Sequence, residues 1–249
     1  MVREPSTVLI ARRTGAALAA LGLFDLAAPH IDHGAGTAAQ IAWLALVSIP
    51  LAALTPLALA PLARLGPRLL PGAAIAIALT ALLIWTGHPG TGATLCKLVA
   101  ASLIGLTLAS LLQTPIEIVG IAILIALVDT YSVAAGPTKV IVEHHEQVLN
   151  AFTLAFHPLG SESVAQIGAS DFVFFTVFLA ASRRFRLRPG PTWLLMTASF
   201  GLTLYLSYAF NRALPALPLL SLAFLVANGN ELAARIRGRA GSPEGDSSG

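Results

Sequence analysis

The stretch from Ile116 to Ala134, IEIVGIAILIALVDTYSVA, is an apolar run whose interior holds one carboxylate, Asp129. A second run, from Val164 to Ser182 (VAQIGASDFVFFTVFLAAS), holds Asp171 in the same situation. An ionised Asp near the centre of a bilayer costs roughly 2.5–3.5 kcal/mol on insertion scales, so membrane proteins keep one mainly where it is paired, hydrated or functional. The two carboxylates therefore form a candidate site.

The composition is that of a polytopic membrane protein. Of the 249 residues, 56% are hydrophobic and 11% are charged, whereas soluble domains carry about 25% charged residues. The formal charge of +3 could suggest a nucleic acid partner, but basic residues in a membrane protein first report orientation. We therefore predict an all-α bundle of transmembrane helices in contact with lipid, and no nucleic acid partner.

A spanning helix needs about 20 predominantly apolar residues. This rule predicts eight spans, near residues 14–31, 38–61, 70–87, 95–113, 116–134, 164–182, 191–210 and 213–230. We divide the chain into supporting spans (1–113), a core that carries both Asp residues and the loop 136–163 (114–230), and a basic anchor with a disordered tail (231–249).

The basic residues predict the orientation, since cytoplasmic loops are enriched in Lys and Arg. With a cytoplasmic N-terminus, twelve of the fifteen basic residues lie inside and three outside. Both termini are then cytoplasmic and the loop 136–163 is outside. At 1.5 Å of rise per residue, Asp129 and Asp171 would lie roughly 8–11 Å below the same face, so they are expected to face each other.

A carboxylate pair suits more than one chemistry. Such a pair loses its protons in two coupled steps, as peptide hydrolysis requires: one carboxylate activates a water while its protonated partner polarises the carbonyl and protonates the leaving amine. A proton-coupled transporter uses the same residues as a relay, and an inactive membrane scaffold is a further alternative. No internal repeat is evident in the sequence, so the repeat symmetry typical of many transporters has no support.

Three motifs in order resemble the presenilin and signal peptide peptidase family of intramembrane aspartyl proteases. They are Asp129, then Gly168-Ala169-Ser170-Asp171 on the next span, then Pro215-Ala216-Leu217 on the last span. The family pattern is an Asp usually preceded by Tyr, then Gly-x-Gly-Asp, then Pro-Ala-Leu. The resemblance covers about residues 127–228 and does not extend to the first four spans.

The resemblance implies an aspartic endopeptidase of a prokaryotic cell membrane, with Asp129 and Asp171 as the catalytic pair. Substrate-binding roles are implied for Gly168, Ala169, Ser170, Pro215, Ala216 and Leu217. The family usually has nine spans, cleaves transmembrane helical substrates and uses no metal or organic cofactor. Proline lacks an N–H and leaves an upstream carbonyl free, so Pro215 is expected in a partly unwound helix start, where the backbone could hold an extended substrate by strand addition.

Two residues depart from the family pattern. Val128 replaces the usual Tyr, and Ser170 replaces the second Gly of Gly-x-Gly-Asp, where it could hydrogen-bond the Asp171 carboxylate. A prepilin-peptidase-type protease also uses Gly-x-Gly-Asp, but the Pro-Ala-Leu motif argues against it. Asp25 is expected near the outer interface rather than as a third functional carboxylate. The histidines match no tight ligand spacing, so we expect no metal; the need for a protein partner stays open.

Overall fold

The computed structural model describes residues 6–31, 36–135, 152–161, 164–212 and 214–240, without the side chains of 134, 135 and 236–240. The helices are α1 (Thr7–Ala27), α2 (Thr37–Trp43), α3 (Ile49–Leu59), α4 (Leu70–Trp85), α5 (Thr91–Leu111), α6 (Pro115–Ala135), α7 (Ala169–Arg184), α8 (Pro189–Ala209) and α9 (Leu217–Ala240). A π-helical turn (Leu44–Ser48) joins α2 to α3, and 3-10 segments follow α1 (Ala28–His30) and α3 (Ala60–Leu69). Two short strands, β1 (Thr153–Phe156) and β2 (Ala165–Gly168), pair antiparallel.

The prediction of a helical bundle agrees with this architecture, and a helix lies in each of the eight predicted spans. Five described segments are long and apolar enough to cross a membrane: Thr7–His30, Thr37–Trp85, Thr91–Leu111, Pro115–Val133 and Leu217–Arg235. The second has 49 residues and covers two predicted spans. In contrast, α7 has 16 residues, fewer than the roughly 20 that a straight crossing needs. The number of crossings and the orientation stay predictions.

Two predicted boundaries are wrong. Residues 165–168 form strand β2 instead of the first turn of a span, so α7 begins at Ala169 and Asp171 is its third residue. Asp171 is therefore not seven residues deep in a helix. The basic anchor predicted to precede a disordered tail is helical, because α9 continues to Ala240. Residues 241–249 and most of the loop 136–163 lie outside the described residues.

Aromatic packing joins α7 to the two helices that follow it. Phe172 and Phe175 of α7 stack on Phe200 of α8, with ring centroids 5.1 and 5.8 Å apart. Phe178 stacks on Phe224 of α9 at 4.7 Å. All five rings are buried, so their burial stabilises the bundle and fixes the position of α7, the helix that carries Asp171.

On another side, α7 lies directly against α5 at Gly105. A Cβ at this position would lie 2.5 Å from the carbonyl oxygen of Val173 and 2.6 Å from Cβ of Thr176. The close approach thus depends on the absence of a side chain. At its C-terminal end, α7 is tied to α5 again, because Arg184 Nη1 donates to the carbonyl of Ser110 at 2.6 Å. These contacts hold α7 between α5, α8 and α9.

We expect Gly105→Ala to lower the thermal unfolding temperature of the purified protein in detergent. The added methyl overlaps the α7 backbone, and overpacking of this kind typically costs about 1–3 kcal/mol. The matched control is Gly120→Ala on α6, where an added Cβ has no neighbour within 4 Å. Because Ala favours helix over Gly, the control should be neutral or slightly stabilising. Equal unfolding temperatures for the two variants would contradict the packing of α5 on α7.

Candidate active site

Asp129 lies near the end of α6 and contacts the beginning of α9. Its half-buried carboxylate accepts a hydrogen bond through Oδ2 from the backbone N–H of Leu217, at 3.0 Å. Leu217 is the first residue of α9, and the first N–H groups of a helix have no partner within the helix. A carboxylate is also favoured at this end of a helix by the helix dipole. Since α6 packs along α9, Asp129 acts as a cap for the last helix.

Asp171 lies in the first turn of α7, directly after β2. Its carboxylate accepts hydrogen bonds from the backbone N–H of Gly168 and from the side chain of Ser170. An acidic side chain at the third helical position that reaches back to the residue before the helix has the geometry of a capping box. The hydrogen bond predicted between Ser170 and Asp171 is thereby confirmed.

There is almost no free space between Gly168 and this carboxylate. A Cβ on Gly168 would lie 3.1 Å from Oδ2 and 3.3 Å from Cγ of Asp171, and 3.3 Å from Oγ of Ser170. The backbone of Gly168, with φ −59° and ψ 132°, is open to any residue, so the constraint is steric. The first Gly of the motif therefore sets the distance between β2 and the carboxylate.

The two carboxyl groups belong to one site. Asp129 lies close enough to Asp171 for its charge to be felt by that carboxyl group, and α6 contacts α7. Two neighbouring carboxyl groups lose their protons in coupled steps, so the pair can hold one proton between them. A pair that shares one proton contains both an acid and a base, which are the two groups needed to activate a water and to protonate a leaving group.

The Pro-Ala-Leu segment lies beside this pair. Residues 214–216 are not helical, and the carbonyl of Ala216 accepts the N–H of Leu220 at 3.0 Å, which makes Ala216 the residue that precedes the helix. The expected non-helical segment before α9 is thus present, and it includes Pro215. Gly168 and Ser170 contact Asp171, Leu217 contacts Asp129, and Ala216 lines the cavity beside Asp171; the structure places Ala169 and Pro215 next to these residues in the chain without a contact of their own to either carboxylate.

A cavity of about 230 Å³ opens next to Asp171. Residues 166–168 of β2 border one side, α8 contributes Phe200, Thr203 and Ser207 to the other, and Ala216 closes one end. The wall therefore combines apolar surface with two hydroxyl-bearing side chains. Sequence analysis missed these α8 residues. Thr203 and Ser207 are one helical turn apart, but α8 also carries Thr192, Thr197 and Ser199, so the spacing does not single them out.

Asp25, predicted near the outer interface, is buried within the protein, and its depth in the membrane stays a prediction. Its side chain is 2% exposed and contacts the hydroxyl of Thr91 and the backbone and ring of His157. It lies outside the contacts made by Asp129 and Asp171. Within the described ranges, no group of three or more His, Cys, Asp or Glu side chains could hold a metal ion.

Comparison with known proteins gives no further assignment. No protein-family model matches the chain, and no curated protein is significantly similar to it. The arrangement of Asp129, Asp171 and Pro-Ala-Leu is therefore the basis for any functional assignment.

We expect Asp129→Ala to unfold at a lower temperature than Asp129→Asn. Both substitutions remove the charge next to Asp171, but Asn retains an oxygen that can accept the N–H of Leu217. The difference isolates this hydrogen bond, whose loss costs about 1 kcal/mol. Thermal unfolding in detergent measures it, with Thr130→Ala as a control because this hydroxyl is exposed and bonds within α6. An Ala variant as stable as the Asn variant would contradict the capping contact.

Proposed function

We propose that the chain is an intramembrane aspartyl protease that hydrolyses peptide bonds in or near transmembrane helices, similar to presenilins and signal peptide peptidases. The observation that carries this proposal is the meeting of Asp129, Asp171 and the Pro-Ala-Leu segment, which come from three separate parts of the sequence. The helices long and apolar enough to cross a membrane are the scaffold that such a protease needs.

The proposed mechanism uses one ionised and one protonated carboxyl group. The ionised group takes a proton from a water as that water attacks the carbonyl carbon of the substrate, and the protonated group donates to the carbonyl oxygen. The C–N bond of the resulting gem-diol then breaks as the amine nitrogen receives the proton that had been taken from water, and one gem-diol hydroxyl returns its proton to the other carboxylate, which leaves one proton on the pair as at the start. The hydrogen bonds from Leu217 to Asp129 and from Gly168 and Ser170 to Asp171 support the mechanism, because they orient both carboxyl groups before substrate binds.

The substrate must be extended at the cleaved bond, because a helical amide is shielded by its own hydrogen bonds. The edge of β2 faces the cavity next to Asp171, and β1 is the strand partner of β2 in the described part of the chain. An unwound substrate segment can add to this edge through backbone hydrogen bonds. Such a strand would pass beside Asp171, because β2 ends at Gly168 and Asp171 lies in the first turn of α7.

The proposed orientation follows from the distribution of basic residues, with both termini in the cytoplasm. The carboxyl pair is then reached by water from the outer side. By analogy with signal peptide peptidases, the preferred substrates are transmembrane helices with a cytoplasmic N-terminus. The protein is thus expected to be an integral protein of the cell membrane.

We expect Asp129→Ala and Asp171→Ala each to lower the cleavage rate of a helical transmembrane peptide by at least about 1,000-fold. The reason is that either variant lacks the acid or the base. The measurement is cleavage by the purified protein in detergent, with and without a transition-state-mimicking aspartyl protease inhibitor. The control is Glu117→Gln, which changes a carboxylate at the other end of α6 that bonds Gln113 and Thr114. Inhibitor-resistant cleavage, or activity that survives in either Asp variant, refutes the mechanism.

We expect Gly168→Ala to lower kcat by about 10- to 100-fold, because the new methyl would press on the Asp171 carboxylate while the backbone remains unstrained. The measurement is cleavage of the same peptide at saturating concentration. Gly190→Ala is the control, since an added Cβ there has no neighbour within 4 Å. Full activity in the Gly168 variant would show that the carboxylate can move without loss, contrary to the proposed preorganisation.

A further inference from the structure

Helix α5 binds one edge of β1 through its side chains. Lys97 donates through Nζ to the carbonyl of Thr153 at 2.8 Å. Thr94 donates its hydroxyl to the carbonyl of Ala155 at 3.2 Å and accepts the N–H of the same residue at 3.3 Å. These bonds take the place of a neighbouring strand along this edge.

Asp25 of α1 continues the same set of contacts beyond the end of β1. Its Oδ1 accepts the backbone N–H of His157 at 2.8 Å, and its Oδ2 lies 3.1 Å from Nδ1 of the His157 ring. Thr91 of α5 donates its hydroxyl to Oδ2 of Asp25. We call Thr91, Thr94, Lys97 and Asp25 the polar ladder.

The spacing of the polar ladder matches the geometry of a strand. Its three α5 residues are three apart and lie on one helix face. The backbone groups that the ladder binds are two apart and point to one side of the strand: Lys97 binds residue 153, Thr94 binds residue 155, and Asp25, held by Thr91, binds residue 157. The backbone groups of Leu154 and Phe156 then point to β2, where they pair with Ile167 and Ala165. A shift of β1 by one residue would break the ladder contacts, so the ladder specifies the register of the hairpin.

Two members of the polar ladder carry charge in a buried place. Lys97 is 8% exposed and Asp25 is 2% exposed. Burial of a charged group is costly unless it is hydrogen-bonded, and apolar side chains would fill the same volume without this cost. The presence of Lys97 and Asp25 therefore indicates that these side chains position β1 rather than fill the core.

A short chain of contacts joins the polar ladder to the carboxyl pair. Lys97 holds the carbonyl of Thr153, Thr153 is the register partner of Gly168, and the N–H of Gly168 donates to the carboxylate of Asp171. The same hairpin places the edge of β2 along the cavity. The position of β1 therefore sets the position of the edge that a substrate would use, while Asp171 itself is held by the first turn of α7.

We propose that the residues of the polar ladder are positioning residues for substrate binding. The ladder fixes β1, and β1 in turn holds the cavity-facing edge of β2 in register with Asp171. An unwound substrate segment then adds to that edge. This inference rests on the proposed protease function. It assigns a role in substrate binding to α1 and α5, which lie in the part of the chain without motif resemblance.

The test compares two inhibitors that share a hydroxyethyl transition-state isostere. The short one carries no flanking residues and reaches only the carboxyl pair, and the extended one carries four residues on each side. We expect Thr94→Val and Lys97→Met to weaken binding of the extended inhibitor by about tenfold or more, while the short inhibitor binds as to the unsubstituted protein. In the cleavage assay, KM should rise with little change in kcat. Lys97→Arg, which retains a charged donor, should restore most of the affinity.

Ser102→Ala is the control on the same helix, because this buried hydroxyl donates to Leu98 within α5. Unchanged affinity for the extended inhibitor in both ladder variants overturns the inference. Equal loss of both inhibitors also overturns it, since the ladder would then only maintain the fold. If the unsubstituted protein binds neither inhibitor, the protease proposal fails, and this inference fails with it; that result is distinct from the other two.

Discussion

The backbone N–H groups at the start of a helix need partners, because the helix itself supplies none. In this protein the two carboxyl groups of the candidate site meet that need. Asp129 caps α9 from a different helix, and Asp171 caps α7 from within its own first turn. The groups proposed for catalysis are thus also groups that the fold requires at these places. This double role explains how two carboxylates are kept together in an apolar bundle despite the cost of burial.

The position of Asp171 depends on where α7 begins. Because β2 is extended, α7 begins only at Ala169. The carboxylate of Asp171 therefore lies at the N-terminal end of α7 and not along its side. A residue at a helix start has fewer neighbours than one inside the bundle, which leaves space for the cavity beside it. Gly105 and Gly168 both matter here because each lets another element approach α7 more closely than a side chain would allow.

The sequence predicts the helices well because each apolar run is long, and it predicts the carboxyl pair because an Asp in such a run is conspicuous. It does not reveal β2, since Val164 to Gly168 is mostly apolar, with Gln166 as its one polar side chain, and is continuous with the span that follows. Nor does it reveal the end of α9, where Arg, Ala and Leu all favour helix although the composition resembles a polar tail. The buried state of Asp25 depends on a contact with His157, 132 residues away, and no local pattern encodes a contact at that distance.

The part of the chain without motif resemblance is therefore more than a support for the rest. A boundary near residue 113 divides the sequence by motif content, but α5 packs on α7 across it at Gly105, and Lys97 and Asp25 hold a strand from the other side of it. Motif residues need to match only where chemistry occurs, whereas a positioning contact can be made by any side chain of suitable length and polarity. An N-terminal half could therefore keep the same geometry with different residues and show no motif. What must be kept is the position of the polar atoms that bind β1, and several residue types can supply such an atom.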